Sequence, residues 1–305
     1  MKVGIIGIGV QAKKIIAFLK NDKANQIIQY HYKKKKNCTN RIEELFNAEC
    51  IFIASPTFTH ISYLTKISKY KGYIFLEKPG ASKKKEINFL IKKLSNKKIY
   101  INYNFVFSNI YKILKNMIST KKYGKILKFQ ITQSNGVALK KNYFNWRFDK
   151  KKCNGIEEIN TVHFIHLILC LFNKIKFLSK FTQSISQKNI DNADYNFISG
   201  NNCLINIFNS YTTPVINSFK LIFVNALVDY DGKFLKISYP WNVTNKIGRL
   251  ISPAVKHKIK LDFSSDWALS NSLSIKYFLN HVKKNRFFKK TDLFKSIKTL
   301  EIIHL

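Results

Sequence analysis

Acidic residues are scarce in this chain. Its 305 residues hold 17 aspartates and glutamates against 53 lysines and arginines, a formal net charge of +36. Arginine is scarcer still: only Arg41, Arg147, Arg249 and Arg286 occur, so the positive charge is almost all lysine. Charge on this scale is the usual footprint of phosphate neutralisation by a nucleic-acid binder. Here, however, the lysines fall on the polar positions of every segment and do not gather in one patch. They rise together with asparagine and isoleucine, the bias an AT-rich coding sequence imposes. Evenly spread charge bears on solubility and non-specific association. A lysine-rich nucleic-acid binder therefore ranks last among the readings, and no nucleic-acid partner is expected.

Long apolar runs are also missing. The longest, around Val162 to Phe172, is broken by His163 and His166 and falls short of the roughly 20 residues a membrane span needs. One lysine ahead of a glycine-interrupted strand is not a signal-peptide start, so a cytoplasmic protein with no membrane partner is expected. The five cysteines (Cys38, Cys50, Cys153, Cys170 and Cys203) are scattered, odd in number and never spaced C-x-x-C. That excludes a disulfide framework and gives no zinc site. Repeats and a disordered linker are absent, and 46% hydrophobic content at this length suits an ordered protein of about two domains.

What is present begins at Lys2. Val3, Ile5 and Ile6 read as a buried strand, the chain turns at Gly7-Ile8-Gly9-Val10-Gln11-Ala12, and Ala12, Ile15, Ile16 and Leu19 recur at helical spacing. Strand, glycine turn and helix in direct succession are the context that gives G-x-G-x-x-G/A its meaning. Gly7 frees φ for the turn, Gly9 lets a pyrophosphate approach the backbone, and Ala12 lets the helix pack close. The helix N-terminus adds free N–H groups and a positive dipole end.

Strands and helices then alternate at short spacing: strands at 27–32, 50–54, 72–76 and 98–101, helices at 41–46, 60–67 and from a Ser82 cap to about Leu94. This predicts a Rossmann-type, doubly wound parallel sheet. Beyond a helix following Ser108 the pattern changes. A strand at 126–134 and an apolar helix at 157–172 precede strands at 177–184, 195–199, 203–209, 218–224 and 234–237, and helices at 268–282 and 291–303 close the chain. Strands without intervening helices predict an α+β domain with an open, mainly antiparallel sheet. The boundary is placed at 118/119, with the last helices able to pack back on the first domain. The exposed face of the large sheet is the expected homo-oligomer surface.

Three stretches carry polar chemistry. Glu77-Lys78-Pro79 falls at the carboxyl end of the fourth strand, on the edge where doubly wound sheets hold ligands. A lysine there can act as an acid/base if its pKa is lowered, or it is one more surface lysine. His163 and His166 share a helix face, where a packed core role competes with a catalytic one, and no third ligand is spaced to make a metal site. Trp146-Arg147 either lines a polyol or anion pocket or forms a surface salt-bridged loop.

Taken in order, Gly7-x-Gly9-x-x-Ala12, Ala54-Ser55-Pro56-x-x-x-His60, Glu77-Lys78-Pro79, Asn104, Gly124, Trp146-Arg147, Gly155 and His163 resemble the glucose–fructose oxidoreductase/inositol dehydrogenase (Gfo/Idh/MocA) family. The resemblance runs nearly the whole chain, and Glu-Lys-Pro is its most specific part. It implies NAD(P)-dependent oxidation or reduction of a sugar, cyclitol or nucleotide-sugar-like compound. Lys78 would handle the proton and help seat the nicotinamide, with His163 as the second catalytic group. Cofactor contacts would come from Gly7, Gly9, Val10, Gln11, Ala12, Tyr32, Lys33, Ser55, Pro56, His60 and Glu77. Substrate contacts would come from Asn104, Trp146, Arg147, Asn160 and His166, with no metal. The chain departs from the family pattern at Ile159 and His166, where acids are common, and at Phe105-Val106, where arginine is common. A cofactor-binding member with altered or lost catalysis is the alternative. At the end of the second strand, Tyr30-His31-Tyr32 offers no carboxylate for a ribose 2′-hydroxyl, and Lys33-Lys34-Lys35-Lys36 follows. That favours NADP(H), with NAD(H) as the second choice.

Overall fold

Val3, Ile5 and Ile6 have no exposed surface, and they lie on a strand, β1 (Lys2–Ile6), covered on both faces. The structure, a computed structural model, describes residues 1–22, 24–95, 98–140, 145–172, 174–240 and 244–305. After β1 come α1 (Val10–Lys20), β2 (Gln26–Tyr30), β3 (Cys50–Ile53), α2 (His60–Lys66), β4 (Tyr73–Glu77), α3 (Ile87–Leu94) and β5 (Ile99–Asn102). Every pairing among these strands is parallel, in the order β2-β1-β3-β4-β5. The chain thus builds outward from β1 to β2, then crosses to β3 on the other side. That switch leaves a crevice at the carboxyl ends of β1 and β3, the place where such sheets bind ligands.

The next elements are α4 (Asn109–Ser119), β6 (Ile126–Ser134), α5 (Val162–Leu171), β7 (Ile175–Gln183), β8 (Asn192–Ser199), β9 (Leu204–Ser210), β10 (Ile216–Phe223), β11 (Ala226–Tyr230), β12 (Phe234–Ser238) and β13 (Val255–Lys260). They are followed by α6 (Phe263–Lys283) and α7 (Lys290–Ile303). The eight strands form one sheet, β13-β12-β11-β10-β6-β9-β8-β7, antiparallel except for β6 beside β9. One face is apolar by strict alternation: Phe129 and Ile131, Tyr195 and Phe197, Ile205 and Ile207, Phe219 and Leu221 are all buried. Against it lies α5, buried from Val162 to Ile168, with the Phe164 ring 6.1 Å from that of Phe219. Two compact units result. The first comprises Met1–Asn104, Lys151–Cys153 and Asn271–Leu305, the second Phe105–Lys150 and Asn154–Ser270. The core of the first is aromatic: Phe278 of α6 packs on Phe52 of β3 and Phe75 of β4, with centroids 5.1 and 5.3 Å away.

The parallel sheet and the mainly antiparallel sheet are the two architectures the sequence predicts. Local differences have physical causes. Ser82 does not cap the third helix. Instead the Glu86 carboxylate accepts from the backbone N–H groups of Ser82 and Lys83, and a short 3-10 turn precedes α3. Helix α6 starts at Phe263, five residues ahead of the expected start, because the Asp262 carboxylate accepts from Ser265 N at 2.8 Å and ties down its first turn. β13 was not expected: Val-Lys-His-Lys-Ile-Lys is exposed throughout, so it shows no burial alternation, as suits a lysine-protected edge strand. The expected helix over 157–172 opens as a π-turn, Glu157–Thr161, before α5.

Candidate functional site

Gly7 ends β1 with φ +126°, and a Cβ there would lie 2.6 Å from the Ala54 carbonyl oxygen. Only glycine fits where the chains leaving β1 and β3 pass this closely. The Gln29 amide donates to the Gly7 carbonyl at 2.7 Å and fixes the turn. Gly9, the N-cap of α1, is the opposite case: an added Cβ meets nothing within 4 Å. Open surface therefore fronts a helix start with no acid in its first turn. Unsatisfied N–H groups and the dipole end make that surface an anion site. Ala12 is fully buried, which gives the close helix packing its small side chain allows, whereas Val10 is exposed.

Gln11 ties this turn to β4. Its amide donates to Glu77 Oε1 at 3.1 Å, and Asn102, at the end of β5, donates to the same oxygen at 3.0 Å. Asn102 in turn accepts from Ser274 of α6 at 2.6 Å, and the Ser274 hydroxyl meets that of Tyr100 at 2.7 Å. Burial pushes the Glu77 carboxyl above its usual range, against the opposing pull of Asn102, Gln11 and the Lys78 charge. Glu77 thus faces inward as the hub of a polar network, and Lys78, half-buried, follows it into a cis peptide bond with Pro79.

His60 is fully buried and clamps two turns together. Its Nδ1 lies 2.9 Å from the Pro79 carbonyl and its Nε2 3.0 Å from that of Ser55, so the turn after β4 is pinned to the turn after β3. Burial lowers its pKa to about 4, with the two carbonyls opposing and the Lys78 charge assisting. At the end of β2 the chain folds back so that His31 N donates to Thr39 O at 3.0 Å. The turn so formed presents Tyr32 and Lys33 to Lys36 on the surface, with Lys33 Nζ 5.7 Å from the Tyr32 ring centroid and no carboxylate in the stretch.

In the second unit, His163 is buried on α5 and packs edge-on against Trp267, centroids 4.7 Å apart. Trp267 also lines a cavity of about 380 Å³, whose other aromatic walls are Phe164 and Phe263. Its polar walls are the amides of Gln133, Asn135, Asn160 and Asn217 with the hydroxyls of Ser134 and Ser264. Asn160 is held at both ends: it donates to Gln133 Oε1 at 2.6 Å and accepts from the Tyr211 hydroxyl at 3.2 Å. Gly155, with φ +60° and room for no side chain beside the Ile190 carbonyl, sets the chain into this helix. His166 lies one turn before Cys170, its Nδ1 3.7 Å from the thiol sulfur. Trp146 and Arg147 form a short 3-10 turn capped by Asn145, with the guanidinium 5.0 Å from the indole centroid.

Three comparisons bear on this architecture. No family model matches the chain. The glucose-6-phosphate 3-dehydrogenase of Bacillus subtilis (strain 168) is 26% identical over 189 residues, 56% of this chain and 53% of that protein. The chain thus spans about half the length of the curated relative it matches. Among solved structures, a levoglucosan dehydrogenase in complex with NADH and levoglucosan superposes with TM-score 0.80 at 13% identity, covering 99% of this chain and 95% of its own. The chain has the fold of that dehydrogenase. A myo-inositol dehydrogenase from Corynebacterium glutamicum shares it, with TM-score 0.72, 14% identity and coverage of 99% and 94%.

On this dehydrogenase fold, the residues singled out from sequence fall into two groups. Gly7 to Ala12, Tyr32, Lys33, Ser55, Pro56, His60, Glu77 and Lys78 all stand at carboxyl ends of strands in the parallel sheet or in the turns and helix starts that follow. Asn104 is buried just past β5. Asn160, His163 and His166 share one helical segment of the second unit, with Trp146 and Arg147 on a turn of the same unit. Gln133, Asn217 and Trp267 were not singled out. In a chain this rich in asparagine, two more amides carry no signal until the fold brings them to one wall. Asn102 and Ser274 were missed for the same reason.

Proposed function

We propose that the chain is an NAD(P)-dependent oxidoreductase, with a sugar- or cyclitol-like CH–OH compound as substrate and with Lys78 and His163 handling the substrate proton. The observation that carries this reading is the glycine turn at the β1/β3 crevice. Gly7 is required there by a 2.6 Å approach, while Gly9 leaves an acid-free helix start open to solvent. A dinucleotide diphosphate fits such a cradle. The bound nicotinamide supplies or accepts the hydride. The N–H groups of Val10, Gln11 and Ala12 hold the diphosphate, and Ser55 and Pro56 flank it across the crevice. Four exposed lysines and no carboxylate at the end of β2 favour a ribose 2′-phosphate, hence NADP(H) over NAD(H). Lys78 exchanges the proton of the reacting hydroxyl, held in place by Glu77 on one side and the His60 clamp on the other. His163, beside the amide-lined cavity, is its partner in that exchange. The relatives named above are dehydrogenases of polyhydroxylated compounds, and the reading carries that substrate class to this chain.

The reading extends to a cytoplasmic homo-oligomer joined through the outer face of the eight-stranded sheet, where Leu127 and Leu204 are exposed. A second reading, cofactor binding without turnover, is favoured by Ile159 and His166 at two positions where the family pattern is acidic. Initial rates of nicotinamide absorbance change over a panel of sugars, cyclitols and their oxidised forms distinguish the two. The proposal expects turnover by wild type and a loss of about 100-fold or more in Lys78→Met at saturating NADPH. Equal rates in the variant would overturn the role of Lys78, and tight NADPH binding with no turnover of any compound would leave the second reading.

A further inference from the structure

We propose that the cavity of the second unit selects an uncharged, polyhydroxylated ligand that extends beyond one ring and rejects phosphate esters and nucleotide sugars. The proposal deepens the oxidoreductase reading and rests on it for the chemistry of the ligand. In a chain of +36, a site for a phosphorylated compound has lysines to spend, because phosphate recognition uses charge-assisted contacts from Lys or Arg. Yet among the described residues the walls of the 380 Å³ cavity carry no ionisable side chain. Four amides, two hydroxyls, three aromatic rings and Val215 are the lining of a site for neutral hydroxyl groups on an apolar-faced ring.

Asn217 gives the wall a direction. Among the described residues its side-chain oxygen, which has almost no accessible surface, meets no hydrogen-bond partner, a rare condition that disfavours the folded chain unless a donor arrives. A ligand hydroxyl supplies such a donor once the amide turns its oxygen to the cavity. An ionised phosphate has only acceptors to offer and would face that oxygen lone pair to lone pair.

The space does not end there. A second cavity of about 550 Å³ shares Val215, Asn217, Phe263 and Ser264 with the first. Its far walls bring Asp229, Asp231 and Asp262 together with a single lysine, Lys233. The Asp231 carboxylate is bound to Lys236 at 2.8 Å and held at about 2, below the usual carboxylate range, by that hydrogen bond, so it stays charged. Three carboxylates against Lys233 and the paired Lys236 leave the far walls no excess of positive charge to hold a diphosphate, whereas a second sugar ring or another neutral substituent is tolerated.

The test is tryptophan fluorescence of the full chain, with Trp267→Phe as the control that removes the cavity's reporter. The probes are glucose, myo-inositol and maltose against glucose 6-phosphate, myo-inositol 1-phosphate and UDP-glucose, without cofactor and at near-physiological salt. The proposal expects a neutral compound to bind at least tenfold more tightly than its phosphorylated counterpart, with maltose the best of the neutral three. It also expects Asn217→Lys to reverse the order. Tighter or equal binding of the phosphorylated compounds, or no response to any neutral probe, would overturn it. NADPH titration of the same samples separates the two claims. Polyol discrimination without NADPH binding sinks only the oxidoreductase reading, and NADPH binding without discrimination sinks only this one.

Discussion

Between about pH 6.5 and pH 4, the unfolded chain takes up a proton at position 60 that the folded chain refuses. His60 has no exposed surface, and burial holds its pKa at about 4 against the ordinary 6.5. The carbonyls of Pro79 and Ser55 would each welcome an N–H, which favours the imidazolium, but the desolvation of a charge at full burial is the larger effect. A folded pKa below the unfolded one means stability is complete above about 6.5 and falls with pH until about 4. At 1.36 kcal/mol per pH unit the loss amounts to about 3 kcal/mol, a large fraction of the 5–15 kcal/mol typical of a domain. The assay is urea unfolding at closely spaced pH values and constant ionic strength, wild type against His60→Gln. The variant cannot titrate at this position, and its lost carbonyl contact lowers stability at neutral pH. The advantage of wild type should therefore shrink by about 3 kcal/mol on acidification, and other carboxylates cancel in the difference. Parallel curves would refute the buried neutral histidine.

Gly7→Ala puts a Cβ 2.6 Å from the Ala54 oxygen at φ +126°, so it should lose about 2–3 kcal/mol of unfolding free energy by denaturant titration. In Glu77→Gln the Oε1 acceptor of Gln11 and Asn102 is kept while the charge goes. Because burial raises the folded carboxyl's pKa, wild type loses stability as pH rises through the unfolded and then the folded value. The Gln variant should lack that slope and be no less stable at pH 7 in the same unfolding series. Replacing Lys34 and Lys35 with glutamate should weaken NADPH binding at least tenfold and leave NADH within about twofold, read by nicotinamide fluorescence, since the charge acts on the 2′-phosphate alone.

The first unit was the more legible in sequence because its signals are local. β1 and β3 are runs of buried, mostly β-branched and aromatic residues, and the glycine turn joins strand to helix directly, although the close approach that requires Gly7 comes from Ala54 after β3. His60 shows where such reading stops. Its spacing from Pro56 is plain, but that its ring meets the Pro79 carbonyl depends on β3 and β4 lying side by side. In the second unit most of the alternating strands were visible, though β11 was passed over between two of them, whereas β13, exposed at every position, offered no alternation to see. The cavity was invisible for another reason. Gln133, Asn160, Asn217 and Trp267 come from β6, the π-turn before α5, β10 and α6, and no spacing in the chain links them.

Dinucleotide binding at the glycine turn is the claim on which the rest stands. Gly9 permits a clean test, because a Cβ added there meets nothing within 4 Å beyond its chain neighbours, and a substitution should leave the fold intact. Wild type and Gly9→Asp are titrated with NADPH and with NADH, following nicotinamide fluorescence, after unfolding curves show equal stability. The structure predicts that wild type binds NADPH more tightly than NADH and that the aspartate, placed before the amides of α1, abolishes both. Failure of wild type to bind either nucleotide, or undiminished binding by Gly9→Asp, would contradict it.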